Sequence, residues 1–536
     1  MQYDYVVIGA GSGGAAVAAR LSEDRRTTVL LLEAGGRDRH PFIHIPALFP
    51  HLLTNPKTTW MRKSEPVPGL NGRAMYFPSG KVLGGSSSIN GMLYIRGQAQ
   101  DYDDWRDAGN DGWGWDDVLP YFRKMEDHEH GENPAHGVGG PIAVTDTRPS
   151  NDASFRFLES AVATGIPRIS DLNAGDQYGI ATVQGTIRNG RRSSTAQGYL
   201  KPAKSRANLR IQTQANVSRL LLDGTHVSGV EYRDADGVAV RVKAGREVIL
   251  AASAVGSPQI LLQSGIGDSA ELKAVNVEPL HHLPGVGKNL HDHLFIHMQT
   301  RLKPAYPTLN QLLSNKPRMG LELLRYGVLR TGAFKLTSCE ICGFLNSEGK
   351  AARPDIQITF RPFSFDYTSK GGFAFHPFPG GTASICYTRP KSRGAVRLLR
   401  QDGDLRAAIQ PNYLDRDEDV QGMLRGHKIL RRIINTRPFA DCLEGEHGAG
   451  AKARTDDEII AHIRSNAATI YHPVGTCKMG RDEMSVVDDH LRVRGLSGLR
   501  IADASVMPAI TSGNTNAPAI MVGEKCADMI RGERNR

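Results

Sequence analysis

Residues Val6 to Glu33 read VVIGAGSGGAAVAARLSEDRRTTVLLLE, and this stretch constrains the fold more than any other. A β-branched run, Val6 to Ile8, enters Gly9-x-Gly11-x-x-Gly14. A helix of small residues follows, and a second apolar run, Val29 to Leu32, ends on Glu33. This is a βαβ dinucleotide fingerprint in the context it requires. Gly9 allows the tight turn, Gly11 lets the backbone approach a pyrophosphate, and Gly14 lets helix and strand pack closely. The helix N-terminus offers free N–H groups and the positive end of its dipole to phosphates. Glu33 is placed to accept both ribose hydroxyls and to repel a 2′-phosphate. The expected class is α/β, with a Rossmann-like nucleotide domain.

A chain of 536 residues can bury a large core and form two intertwined domains. With 40% apolar and 23% charged residues, disorder is excluded as its main state. The net charge of +10 is spread along the chain, and no Lys/Arg block is interleaved with aromatics, so no nucleic-acid partner is expected. A mild positive field suits an anionic cofactor or weak contact with an anionic membrane; a solvated basic surface is the simpler reading. MQYD lacks a basic leader region, and no uncharged apolar run reaches membrane-spanning length. A cytoplasmic protein is expected, with any membrane association peripheral, at the inner face.

Six cysteines in so long a chain do not suggest a disulfide scaffold. Cys339 and Cys342 form a CxxC, but no second pair completes a zinc site, and SCEICGFLN alternates like a strand. Both are read as buried thiols.

Helices are predicted over Asp116–Lys124, Val420–Asn435 and Asp456–Ser465, the last opened by a Thr455/Glu458 capping box. The segment 208–233 alternates like a meander with a hairpin turn at Asp223-Gly224, and Ala383–Leu399 carries another strand pair. Two later buried strands, Glu247–Ala251 and Leu499–Ala502, turn abruptly into small residues. Ligands of open α/β sheets sit beyond such strand ends. The nucleotide domain is therefore expected from residues 1–150, 195–300 and 456–536. A second, cap domain is expected from 151–194 and 301–455.

GKVLGGSSSINGMLYIRGQAQDYD (Gly80 to Asp103) and SAVGSPQILLQSGIG (Ser253 to Gly267) resemble the two signature motifs of the glucose–methanol–choline (GMC) oxidoreductases. PGVGKNLHDH, RPKSRGAVRL, YHPVGTCKMG, IADASVMP and GNTNAPAIMVGEKCAD follow in family order. The resemblance implies a flavoprotein that oxidises alcohols with FAD, and a substrate domain built on an antiparallel sheet. The wording resembles the choline dehydrogenase-like alcohol dehydrogenases. Some family oxidases attach the flavin through a His just before the Asn of this first motif. Here Ile89 precedes Asn90, which excludes that link and predicts non-covalent FAD.

Flavin-dependent alcohol oxidation needs a group to take the hydroxyl proton while hydrogen passes as hydride to the flavin. His472, in YHPVGT, has the right unperturbed pKa, and Pro473 biases it toward extended backbone. The resemblance places it at the family's catalytic His and puts the second catalytic position, an Asn that orients the substrate oxygen, at Asn516. For the cofactor, Gly9, Gly11, Gly14 and Glu33 come first. The resemblance adds Gly85, Ser86, Asn90, Gly91 and Met92, with Arg73, then Asp503, Ala504, Asn514 and Asn516 at the last strand end. Val217 resembles the position whose backbone meets adenine, and an ordinary strand residue is an equal reading. His291 and His293 are read as structural or cofactor-proximal, with no metal site. Glu340 resembles an acid that meets a quaternary ammonium in the choline-oxidising branch. Seven aromatics between Phe360 and Phe378 suit either an apolar substrate pocket or cap core.

The expected activity is oxidation of a primary alcohol to its aldehyde, with electrons passed to a quinone or other acceptor. An oxygen-using alcohol or choline oxidase and a flavin-containing hydroxynitrile lyase are the alternatives. The alcohol and the oligomeric state are not legible.

Overall fold

In the computed structural model, which describes residues 1–349, 353–367 and 373–534, the fingerprint folds as its spacing requires. β1 (Gln2–Ile8) and β2 (Val29–Glu33) run parallel, with Val6 opposite Leu30 and Ile8 opposite Leu32. α1 (Ser12–Leu21) crosses between them. Val6, Val7 and Leu31 are fully buried, because both faces of this sheet are covered. β3 (Leu209–Thr213) extends the sheet beyond β2. β4 (Asn216–Asp223), β5 (His226–Arg233) and β6 (Ala239–Leu250) form the expected meander. Gly224, at φ 57°, opens its tight turn. The last part of β6 returns parallel to β1, giving the order β3-β2-β1-β6-β5-β4. Leu499–Ile501 pairs parallel with the end of β6. Three distant parts of the chain thus bring their strand ends to one edge, and the C-terminal helix Asn516–Arg534 packs on α1.

The second sheet is antiparallel throughout, in the order β8-β9-β10-β7-β11. Its strands are β7 (Leu294–Leu302), β8 (Ile341–Leu345), β9 (Ile356–Arg361), β10 (Gly380–Tyr387) and β11 (Leu443–His447). Ala468–Thr469 also pairs with β7. β7 therefore crosses the boundary expected at residue 300. The alternation on β9 is clean: Ile358 and Phe360 enter a core with Phe157, Phe439 and Met423, while Gln357, Thr359 and Arg361 face the other way. Phe360 stacks on Phe157 at 4.5 Å, so it is cap core. The side chains of Tyr367 and Phe373 lie outside the described residues.

The predicted helices occur as Trp115–Met125, Asp417–Ile434 and Asp456–Asn466, with the Thr455/Glu458 capping box formed. The two strands read in 383–399 do not pair with each other. β10 sits inside the antiparallel sheet, whereas Ala395–Gln401 pairs with Asp404–Gln410. The hydrophobic pattern marks both strands without naming their partners, which tertiary packing selects.

Candidate active site

One cavity of about 1300 Å³ runs from the glycine turn, past the end of the first sheet, to the face of the second. Three non-glycine residues on its wall, Met92, Ser253 and Tyr471, have φ of 65°, 77° and 67°. Such strained backbone concentrates where a site dictates geometry.

At the nucleotide end, Gly9 has φ 96°, and a Cβ on Gly14 would lie 2.0 Å from the Gly9 carbonyl oxygen. Gly11 differs: its nearest neighbour would be Gly85 Cα, 4.0 Å away, and the rest is open cavity. The protein's own packing does not demand glycine there, and the open space would admit a pyrophosphate close to the backbone. α1 starts at that point with no side-chain cap, which leaves its first N–H groups for an anion. Glu33 is buried and accepts from Ala10 N (2.9 Å) and Gly35 N (2.7 Å). Burial pushes its carboxyl up to about 7 against those two bonds and Lys81. Gly85 sits over Gly11, with φ 53°. Ser86 Oγ accepts from Gly80 N, and Asn90 Oδ1 accepts from Arg192 Nη1 (2.7 Å) and Met92 N (3.1 Å). Gly91 lets the chain pass Ser338, whose Cβ would lie 2.6 Å from a side chain there. Val217 lines the cavity from β4, and Asp503 and Ala504 line it from the last strand end. Asp503 is held by Ser253 N, Ser257 Oγ and Ser505 N. These residues fit a dinucleotide laid along the cavity. Arg73 is elsewhere: it donates to the carbonyls of Arg464 and Ala467 and does not line the cavity.

His472 stands at the other end, buried yet on the cavity wall. Its backbone N–H donates to Asp292 Oδ1 (2.7 Å), which also accepts from His293 N, while Asp292 Oδ2 accepts from Tyr413 and Thr469. Burial pushes Asp292 up to about 6 against these bonds. The ring contacts determine a tautomer. His293 Nε2 lies 3.0 Å from the Thr388 carbonyl, which can only accept, so this nitrogen carries the proton. Burial holds His293 down at about 4, so its Nδ1 is a bare acceptor at neutral pH. That nitrogen is 3.1 Å from His472 Nδ1, which must donate. His472 Nε2 is left unprotonated, and its lone pair accepts from Asn514 Nδ2 at 3.1 Å. Gln357 Nε2 donates to Asn514 Oδ1 (3.3 Å) and so turns the amide nitrogen toward His472. Burial, and secondarily His293, keep His472 well below its ordinary value.

Residues 3–295 and 390–523 match the N- and C-terminal family models of the GMC oxidoreductases. An oxygen-dependent choline dehydrogenase of Escherichia coli K12 is 43% identical over 99% of this chain and 96% of its own. Among solved structures, pyridoxine 4-oxidase from Mesorbium loti is 32% identical with a TM-score of 0.87 over 99% of both chains. A formate oxidase variant of Aspergillus oryzae is 28% identical with a TM-score of 0.91, covering 100% of this chain and 99% of that one. This chain is a GMC oxidoreductase. It is an FAD-dependent oxidoreductase of CH–OH donors, with the family's nucleotide and substrate parts.

Two expectations give way within this GMC site. Asn514, not Asn516, meets His472. Asn516 opens the C-terminal helix and accepts from Ser12 Oγ (2.8 Å), which places it on the cofactor side. A single residue, Thr515, separates them: Asn514 precedes the helix, after Gly513 at φ 104°, and Asn516 is the helix's first residue. Glu340 does not face the cavity. Its carboxylate accepts from Ser150 Oγ (2.5 Å), Ser150 N and Ser154 Oγ (2.6 Å) beneath the sheet. His291 is structural: Nδ1 bonds the Asn289 carbonyl, and Nε2 accepts from Ile510 N. All six cysteines are buried and free.

Asp292, His293 and Arg192 escaped the sequence reading as positioning residues. HDH was visible as a cluster, but nothing in it distinguishes a backbone-tied His291 from a tautomer-setting His293. Arg192 is buried and joins the carbonyls of Ile43 and Ser87 to Asn90.

Proposed function

We propose that this chain oxidises a primary alcohol to the aldehyde, with His472 Nε2 taking the hydroxyl proton and Asn514 Nδ2 holding the substrate oxygen. The observation that carries this reading is the lone pair on His472 Nε2, fixed from behind by His293 and Thr388. A substrate hydroxyl that displaces the Asn514 N–H from His472 Nε2 donates to that nitrogen and accepts from Asn514 Nδ2. The depressed pKa keeps the base form populated at neutral pH, and the imidazolium formed in the reaction faces the developing alkoxide. FAD, when bound, supplies the two-electron acceptor for the carbinol hydrogen.

The same reading divides the chain into an FAD part on the first sheet and a cap on the second. It holds FAD non-covalently, since the buried Ile89 on the cavity wall offers no nucleophile. Acid precipitation is expected to leave the flavin in the supernatant. The electron acceptor is a quinone or a similar two-electron carrier; stoichiometric peroxide would instead make the enzyme an oxidase.

Among the described residues no helix is long and apolar enough to cross a membrane. The helix Lys316–Leu329 nevertheless shows solvent a stripe of Leu321, Leu324 and Val328, which are 66%, 63% and 73% exposed. Lys316, Arg318 and Arg325 lie on the same helix and Arg330 follows it, with Arg325 paired to Glu322. An apolar stripe with a basic rim fits peripheral contact with an anionic bilayer, where a quinone would be met.

The deciding experiment mixes holoenzyme with primary alcohols without oxygen and follows flavin absorbance. Bleaching is expected, slowed about 10²- to 10⁴-fold by His472→Ala. Near-normal bleaching in that variant rejects the base. Flavin left yellow by every alcohol while a cyanohydrin is cleaved makes the protein a lyase.

A further inference from the structure

The inner face of the second sheet forms the substrate wall, and its register can be read row by row. Gln357 and Phe295 both lie opposite Cys386, and Thr359 and His297 both lie opposite Ser384. Arg361 is the next cavity-facing residue on β9. The first row touches the reaction end, because Gln357 bonds Asn514. Arg361 is two rows further, roughly 14 Å along the strand at about 3.4 Å per residue. Its side chain can lean back over part of that distance.

Among the described residues that the second sheet contributes to this wall, Arg361 is the one with a permanent charge. Among the described lining residues the carboxylates are Glu33, Asp404 and Asp503. Glu33 and Asp503 belong to the nucleotide end, and Asp404 sits on a hairpin packed against the helix Ser253–Gln263. None is on the second sheet. Glu340, the acid expected there, is turned away onto two serines. Asp366 pairs with His376 at 3.2 Å and does not line the cavity. His297 is buried, takes Ser384 Oγ at 2.7 Å, and is neutral. Arg361 carries its charge at any working pH.

A quaternary ammonium would meet a cation here and no carboxylate, with Phe295 as the sheet's one aromatic contribution among the described lining residues. Cation recognition needs the reverse. Resting on the alcohol-oxidation reading, we infer that the substrate is an alcohol bearing a carboxylate several carbons from its hydroxyl, the hydroxyl at His472 and Asn514 and the carboxylate on Arg361. A planar guanidinium suits that partner through paired N–H···O bonds.

The test compares ω-hydroxyhexanoate, hexanol and choline as reductants of the bound flavin. A separate titration reads the oxidised flavin spectrum against unreactive hexanoate and hexanamide. The hydroxy acid is expected to exceed hexanol at least about 10-fold in kcat/KM, with choline last. Arg361→Gln should cut that preference at least about 10-fold, mostly through KM, and Arg361→Lys should restore part of it. Hexanoate should perturb the flavin of the wild-type enzyme at lower concentration than hexanamide, and Arg361→Gln should remove the difference. Preference for choline, equal losses on both substrates in Arg361→Gln, or equal binding of hexanoate and hexanamide would overturn the inference. If hexanol and the hydroxy acid both leave the flavin yellow while hexanoate binds as expected, alcohol oxidation fails and the anion site on Arg361 stands.

Discussion

Replacing His293 tests the central geometry without touching a group that meets substrate. In His293→Ala the Thr388 carbonyl and His472 Nδ1–H both lose their partner in a buried place. Leaving a buried polar group unpaired costs about 1–3 kcal/mol. His472 no longer has its tautomer fixed from behind: its proton can move to Nε2, trading the unpaired Nδ1–H for an N–H set against the Asn514 amide donor, and in that form it presents no lone pair to substrate. Tautomer control is worth about one hydrogen bond, 1–2 kcal/mol, so flavin reduction should slow roughly 5- to 30-fold. His293→Asn keeps an acceptor for His472 and a donor for Thr388 and should recover most of the rate. The assay is anaerobic stopped-flow bleaching at saturating alcohol, repeated across pH. In the wild type His472 is depressed below 6.5, so its base form is complete at neutral pH and is lost only as pH falls below 6.5. Because His293 contributes to that depression, the acid limb should move toward neutrality in His293→Asn. A wild-type rate and pH profile in His293→Ala would refute the reasoning.

Asn514→Ala should slow flavin reduction about 10-fold, by losing one bond to the substrate oxygen. Asn516→Ala should instead lower flavin retention with a smaller effect on rate; visible spectra and stopped flow together separate the two. Gly85→Ala places a Cβ 2.6 Å from Gly11 Cα at φ 53°. It should yield folded protein depleted of flavin, or destabilise by at least about 2 kcal/mol, read from absorbance ratio and thermal melts. Leu324→Glu with Val328→Glu should abolish co-sedimentation with anionic vesicles while leaving neutral vesicles unbound in both proteins.

Much of the scaffold was legible because it rests on short-range rules. The βαβ turn needs Gly9 and Gly14 whatever surrounds it. The Thr455/Glu458 cap is a four-residue event, and SCEICGFLN reads as the strand it forms, β8. The meander turn at Asp223-Gly224 is equally local. What escaped was pairing between elements far apart in the chain: β10 with β7 and β9, or Ala395–Gln401 with Asp404–Gln410. Hydrophobic pattern names a strand without naming its neighbour.

The candidate site divides along the same line. The glycine turn and Glu33 announce themselves through the spacing of one contiguous motif, and His472 is singled out by the family resemblance of YHPVGT. The choice between Asn514 and Asn516 does not, for both lie in NTNAP and only the start of the helix between them sets them apart. The direction of Glu340 turns on two serines almost two hundred positions earlier, and Arg361 becomes a wall of the cavity only when β9 joins β10. Sequence alone determined that a dinucleotide turn would be built and, through the family resemblance, which histidine would be the candidate base. Tertiary packing decided which amide faces that imidazole and what charge faces the substrate, because burial and hydrogen-bond partners are properties of the assembled neighbourhood rather than of any segment.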